Sequence, residues 1–573
     1  MSWCGVAALS VVTGCKARAA SSESWSSWST DSATTKVDSA GGAVAPAQPA
    51  PAPAATESAR TNAAASPQPS VPRVEPALPR AYVDTRYVPP TGRRIAVRRG
   101  GDLQQALEAA QPGDLILLDA GATFIGNFTL PAKTGAGWIT VRSSAPDRLL
   151  PPEGTRLTPS FSAAMPKIVT PNIDPALRTA QGAHHYRIIG VEFSVDPSVK
   201  LNYGIVTFGE GPRPQRDLDR IPSGIILDRS YVHGHPQLNV RRCVALNSAW
   251  SAVIDSYLSE CHAKGFDSQA ICGWNGPGPF KIVNNYLEGA GEIVMFGGAD
   301  PSIRNLTPSD IEIRRNHFSR PTAWKGVWTV KNLFELKHAQ RVLVEGNVLE
   351  NHWVDAQGGF AIVWFSVNQQ GSAPWSVVRD VTFRYNKLRN ASAGINIASG
   401  QPMAPASRMK IVDNLLEKIN VAPFSGPGRA FQVLGGLDNV TIEHNTTFTN
   451  NAVVVFDGLP QRTNFDFSNN LTTRGEYGIA GSDVGEGLKA LDYYLAPGYR
   501  AERNVFIGPG NDVGYPAKNF FPKTIADVGF VNVAAGNYRL SARSRYRRAG
   551  ADGRDPGANV DSIEAATRGV VLP

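Results

Sequence analysis

The stretch "KIVNNYLE" (residues 281–288) is followed by "IEIRRNHF" (311–318), "VLVEGNVL" (342–349), "VTFRYNKL" (381–388) and "KIVDNLLE" (410–417). Aligned, these put an asparagine in one column: Asn285, Asn316, Asn347, Asn386 and Asn414. Three positions earlier every segment is apolar, with Ile282, Ile313, Val344, Phe383 and Ile411. "IILDRSYV" (225–232) and "AVIDSYLS" (252–259) extend the column backwards through Ser230 and Ser256, and "VTIEHNTT" (440–447) and "FDFSNNLT" (465–472) carry it on to Asn445 and Asn470. Column positions lie 25 to 39 residues apart, a recurrence that marks stacked structural repeats rather than a string of independent domains.

Between these segments runs a second family of short β-rich runs, among them "NLFELKHA" (332–339), "FAIVWFSV" (360–367) and "AGINIASG" (393–400), set off by turn-forming Gly, Ser or Asn. No helical periodicity separates them. The expected fold is all-β: a single-stranded, right-handed parallel β-helix, one coil per repeat, with coils stacked at about 4.8 Å. The asparagine column then forms a ladder at an inward bend, because a buried amide needs partners and the next coil supplies them. Two residues before it, Arg314, Glu345 and Arg384 alternate in sign and read as a cross-coil salt ladder.

A solenoid must also close its ends. In "GGDLQQALEAAQPGDLILLDAG" (100–121) Asp102 caps a short helix, Gln105 has the capping-box spacing, and Leu103, Leu107 and Ala110 share a face. Upstream, the apolar start ends in Val12-Thr13-Gly14-Cys15, which resembles a bacterial lipobox and makes Cys15 the expected lipidation site. Residues 1–15 are then a signal segment, too short to span a bilayer; the Ser-, Ala- and Pro-rich residues 16–90 are a disordered tether; and 91–573 are the β-helix. The expected protein is exported, either lipid-anchored at the cell envelope (the outer membrane of a Gram-negative cell) or secreted, and monomeric. Its membrane contact would be through the anchor alone.

Across 573 residues, 42% hydrophobic composition suffices for a long core. The net charge of +8 and the basic run "YRLSARSRYRR" (538–548) come with no nucleic-acid motif, which favours an acidic polysaccharide over nucleic acid as partner. Cys243, Cys261 and Cys272 are odd in number and form no CxxC pair, so they read as small buried residues rather than as a disulfide or zinc site.

In "NLFELKHA" alternation sends Phe334 and Leu336 inward and Glu335 with Lys337 outward. The same outward face collects Glu292, Asn396 and Gln432, with Asp267, Trp274, Lys331, His338 and Trp364 near the strand ends. Carboxylates and amides bond sugar hydroxyls and indoles stack on pyranose rings, so Trp274, Trp364, Asn396 and Gln432 are candidate substrate-binding residues. The bland alternative is that the tryptophans fill the coil and the charges solubilise its outside.

"GDLQQALEAAQPGDLILLDAGATFIGNFTLP" (101–131) and the tail "NYRLSARSRYRRAGADGRDPGANVDSIEAA" (537–566) resemble the first coil and closing segment of bacterial β-helix proteins of the pectate lyase-like superfamily. "ELKHAQRVLVEGN" (335–347) is similar to a segment of alginate lyases and chondroitinase B. The resemblance implies β-elimination at a uronate, with Lys337 in the place of the family's arginine, His338 as its histidine and Glu292 as a carboxylate. No lysine follows in Val294 to Ala299, so Lys331 or Lys337 would supply the base, and Lys337, Lys331, His338 and Glu335 form the candidate catalytic set. Substrate-carboxylate neutralisation falls to a basic side chain or to Ca²⁺ held by Asp267, Glu292 and Glu335. Two alternatives stand beside the lyase. One is a non-catalytic glycan-binding or structural surface β-helix. The other is a β-helix glycoside hydrolase, for which "VHGHP" (232–236) is the only sign and paired aspartates are missing.

Overall fold

The computed structural model describes residues 73–211, 215–400, 405–510 and 514–572. The lipobox with Cys15 and the tether up to residue 72 lie outside the described residues.

Among the described residues nearly every strand pairs in parallel, and apart from two two-stranded pairs the strands sort into three sheets of thirteen. One coil shows the path. Ala339–Glu345 lies in the first sheet, Val348–His352 in the second and Phe360–Ser366 in the third, after which Val378–Arg384 returns to the first, one layer on. The chain is therefore a parallel β-helix, and the inward residues of all three sheets pile into one continuous core running from Val97 to Tyr515.

The bend between first and second sheets is tight because the residue before each asparagine takes a left-handed conformation, as Gly346 does at φ 66° and Arg315 at 55°. The asparagine side chain turns inward and replaces the missing ladder bonds. Asn347 Oδ1 accepts the backbone N–H of Asn316 at 2.9 Å and its Nδ2 at 3.1 Å, while Asn347 Nδ2 donates to Ile313 O at 2.9 Å. The same pattern links Asn285 through Asn470 and continues to Asn504 and Asn519, beyond the repeats legible in sequence. The salt ladder also forms, with Glu345 accepting from Arg314 and Arg384 at 2.6 Å each.

The N-terminal end is closed by α1 (Leu103–Ala109), capped by Asp102, whose side chain accepts Gln105 N–H at 2.9 Å. At the other end the tail folds back over the outside, so that Ala566 O in α2 (Val560–Thr567) receives Arg315 at 2.9 Å. Two arginines of the basic run are paired with acids further along the tail, Arg539 with Asp561 and Glu564 and Arg547 with Asp555.

Two expectations are corrected here. The tether does not extend to residue 90, because residues 73–90 lie as a strap along the first sheet. Backbone N–H groups of Val74, Ala77 and Arg80 donate to Asn439, Asp380 and Asp310, and Val83 packs on Ile226, Ala252 and Ile254. Its composition gives no apolar pattern, but it needs none, since side chains on successive coils meet its backbone. Cys243 and Cys261 form a disulfide across 18 residues, leaving Cys272 free and buried. Coil geometry, not sequence spacing, brings the pair together.

Candidate functional site

The third sheet sets three successive strands side by side: Gln269–Gly273, Glu292–Phe296 and Asn332–Leu336. Their register puts Gln269, Glu292 and Asn332 in one outward file. A second file runs Met295, Glu335, Val363, Asn396 and Gln432. Phe334 and Leu336 point into the core, as alternation requires.

The charges on this face are knitted together. Lys331 Nζ lies against Asp267 Oδ1 and 3.5 Å from Glu292 Oε1, Gln269 Nε2 donates to Glu292 Oε2 at 2.7 Å, and Lys337 Nζ stands 3.5 Å from Glu335 Oε1. Access is unequal. The Glu292 and Glu335 side chains are 0% and 1% exposed, against 15% for Lys331, 16% for Lys337 and 41% for Asp267, so a ligand meets the two ammonium groups and Asp267 first.

Burial pushes the Glu292 carboxyl above its ordinary range, with Asp267 and Glu335 adding to the shift and Lys331 opposing it. Burial works to lower Lys331, but the Glu292 and Asp267 carboxylates outweigh it and hold the ammonium protonated well above its usual range. Asp267 is held below its usual range: burial opposes ionisation, and Lys331 wins. Held in its protonated form beside Asp267 and Glu292, Lys331 is poorly placed to act as the base expected from sequence.

Other expected residues are placed differently. His338 is buried, with Nδ1 accepting Val377 N–H at 3.0 Å and Nε2 donating to Leu306 O at 2.8 Å, so both nitrogens are committed to backbone and neither is left for a substrate. Trp364 is fully buried, edge-on to Phe383 in the core, and cannot stack on a sugar. Trp274 keeps partial exposure at the sheet margin with the Arg242 guanidinium 5.1 Å from its ring centroid. Asn396 and Gln432 are adjacent in the outward file, with Gln432 Nε2 donating to Asn396 Oδ1 at 3.4 Å.

The calcium expectation fails on geometry. The Lys331 ammonium fills the position between Asp267 and Glu292 that a cation would take, and no group of three or more His, Cys, Asp or Glu among the described residues is arranged to hold a metal. Sequence reading missed Gln269 and Asn332, which share the Glu292 file and carry buried oxygens without a hydrogen bond, as do Glu292 Oε1 and Glu335 Oε2. It also missed Arg320, fully buried beneath the file, which donates to Gly289 O at 3.0 Å and Asn332 O at 2.9 Å. Aligning the third-sheet runs by coil would have found the amides. Nothing in the sequence flags Arg320.

No protein-family model matches the chain, and no curated protein matches its sequence. Its solved likenesses are β-helix proteins. A mannuronic acid specific polysaccharide family 6 lyase from human gut microbiota matches at 12% identity and TM-score 0.44, over 76% of this chain and 91% of that one. The family 6 polysaccharide lyase from Pseudopedobacter saltans matches at 12% and 0.35 (75% and 92%), and the Dettilon tailspike protein at 13% and 0.37 (68% and 68%). The likeness is one of fold.

Proposed function

We propose that the third sheet serves an exported polysaccharide lyase acting on an acidic, uronate-containing glycan. The observation that carries this reading is the pair Lys331 and Lys337, accessible basic side chains on a face whose glutamates are buried. Lys331, fixed as a cation, faces the uronate carboxylate and stabilises the negative charge that grows there as the adjacent C–H bond breaks. Lys337, on the same face, takes that proton in its neutral amine form and becomes an ammonium; the electron pair forms the C4=C5 double bond, and the glycosidic C4–O bond breaks as its oxygen takes a proton from water. The disulfide supports export, since such bonds persist in oxidising compartments.

The test is incubation with alginate, pectate, and chondroitin and dermatan sulfates, following the ultraviolet absorbance of unsaturated uronate ends. Lys337→Ala should abolish product while leaving the circular dichroism unchanged. The second reading, a non-catalytic glycan binder, is favoured by the commitment of His338 to backbone; it predicts polymer binding without product from any of the four.

A further inference from the structure

A different face of the coil, away from the third sheet, carries a cleft of about 410 Å³. It lies over the second sheet, between Pro159 on one side and the turn His233–Pro236 on the other, and includes the "VHGHP" segment. Its volume falls in the ~300–1,000 Å³ range of small-ligand sites.

The walls are prearranged. Register stacks Tyr231, Tyr257 and Tyr286 on successive coils. The Tyr257 and Tyr286 rings are stacked at 4.2 Å, as are Tyr231 and His233. Glu288 is fixed at both oxygens, receiving Tyr286 O–H at 2.6 Å and Glu260 N–H at 3.2 Å. Glu260 Oε2 accepts from His262 Nε2 at 2.7 Å, and that imidazole is stacked on Trp328 at 3.8 Å. Tyr231 and Tyr257 also pack on the apolar cluster Ala145, Leu150, Leu157 and Met165, which holds the wall in place. Aromatic edges and prolines beside fixed carboxylates and the Ser259 hydroxyl match a sugar ring, whose C–H patches meet apolar surface and whose vicinal hydroxyls donate to carboxylate oxygens.

The charge decides which sugar. Among the described residues no lysine or arginine lines the cleft, whereas Glu260 and Glu288 do, so a uronate or sulfated residue would find no cation there to pair with. Lys167, behind the His233 wall, is taken by Glu192 at 2.7 Å, and that carboxylate also meets His233 at 3.2 Å. We propose that this cleft is a second carbohydrate site, which takes an uncharged pyranose residue and works independently of the third sheet.

Calorimetric titration of the full chain with neutral gluco-, manno- and galacto-oligosaccharides, and with oligouronates, tests it. A neutral oligosaccharide should bind, Glu260→Gln and His235→Ala should each weaken it at least tenfold, and Lys337→Ala should leave it unchanged. Oligouronate affinity should not respond to Glu260→Gln. As a second readout, a photoreactive derivative of the bound sugar should crosslink to residues 231–236. The proposal is overturned if no neutral oligosaccharide binds, if a bound one ignores both cleft variants and crosslinks elsewhere, or if Lys337→Ala abolishes its binding.

Discussion

At the scale of single residues, the asparagine file does what no apolar side chain could. From Asn316 to Asn504 each amide is buried and hands its oxygen to two N–H groups of the coil before it. Asn347→Ala leaves two Asn316 donors without that acceptor, and at about 1–3 kcal/mol for each unsatisfied buried group the expected loss is about 2–6 kcal/mol, read as the midpoint of urea unfolding. Glu192 makes a pH prediction. Burial pushes its carboxyl up, but His233, Lys167 and Ser162 outweigh burial and bring it from 4.5 to about 2. Its folded value is depressed, so its contribution, of the order of 3 kcal/mol, is present above pH 4.5 and lost as pH falls toward 2. The stability gap between wild type and Glu192→Gln should therefore shrink across that window; a gap that widens there would refute the assignment. Individual residues were also where sequence reading went astray. "FAIVWFSV" is apolar on both faces, so its alternation gives Trp364 no direction; only its register with Leu336, an inward residue, shows that it enters the core. His338 sits just past the end of a strand, where the chain turns and the period of two stops applying.

At the scale of elements, the strap and the disulfide are stabilisers that composition hides. Removing residues 1–90 takes away three backbone bonds to Asn439, Asp380 and Asp310 and the burial of Val83, partly offset by the ordering entropy of the strap. That truncation should cost about 2–4 kcal/mol relative to removal of residues 1–72, measured by chemical unfolding. Equal stability of the two would show the strap to be idle. Loop-closure entropy puts the Cys243–Cys261 bond, which spans 18 residues, at about 3 kcal/mol, so a Cys243→Ala, Cys261→Ala double variant should unfold correspondingly earlier while keeping its β spectrum. Neither element was legible because each depends on partners scores or hundreds of residues away, or on neighbouring turns of a coil whose exact path the sequence does not print. The capping helix was legible, since Asp102, Leu103 and Leu107 meet local requirements.

At the scale of the whole molecule, the repeat was readable because stacking constrains every coil in the same way: an apolar residue inward, a bend, an asparagine to satisfy it. A functional site breaks that repetition, so a period cannot describe it. The third-sheet file is where charges stop forming simple ladders: burial pushes the Glu292 carboxyl up, and the Lys331 ammonium sits between that group and Asp267. The account rests on that face meeting a uronate polymer through Lys331 and Lys337. The most direct test is the appearance of unsaturated uronate ends from alginate, pectate, or chondroitin or dermatan sulfate with wild type, Lys331→Met and Lys337→Ala compared side by side. Product from wild type, with at least a hundredfold loss in each folded variant, is the expected result; no product from any polymer, or full activity in Lys337→Ala, would contradict it.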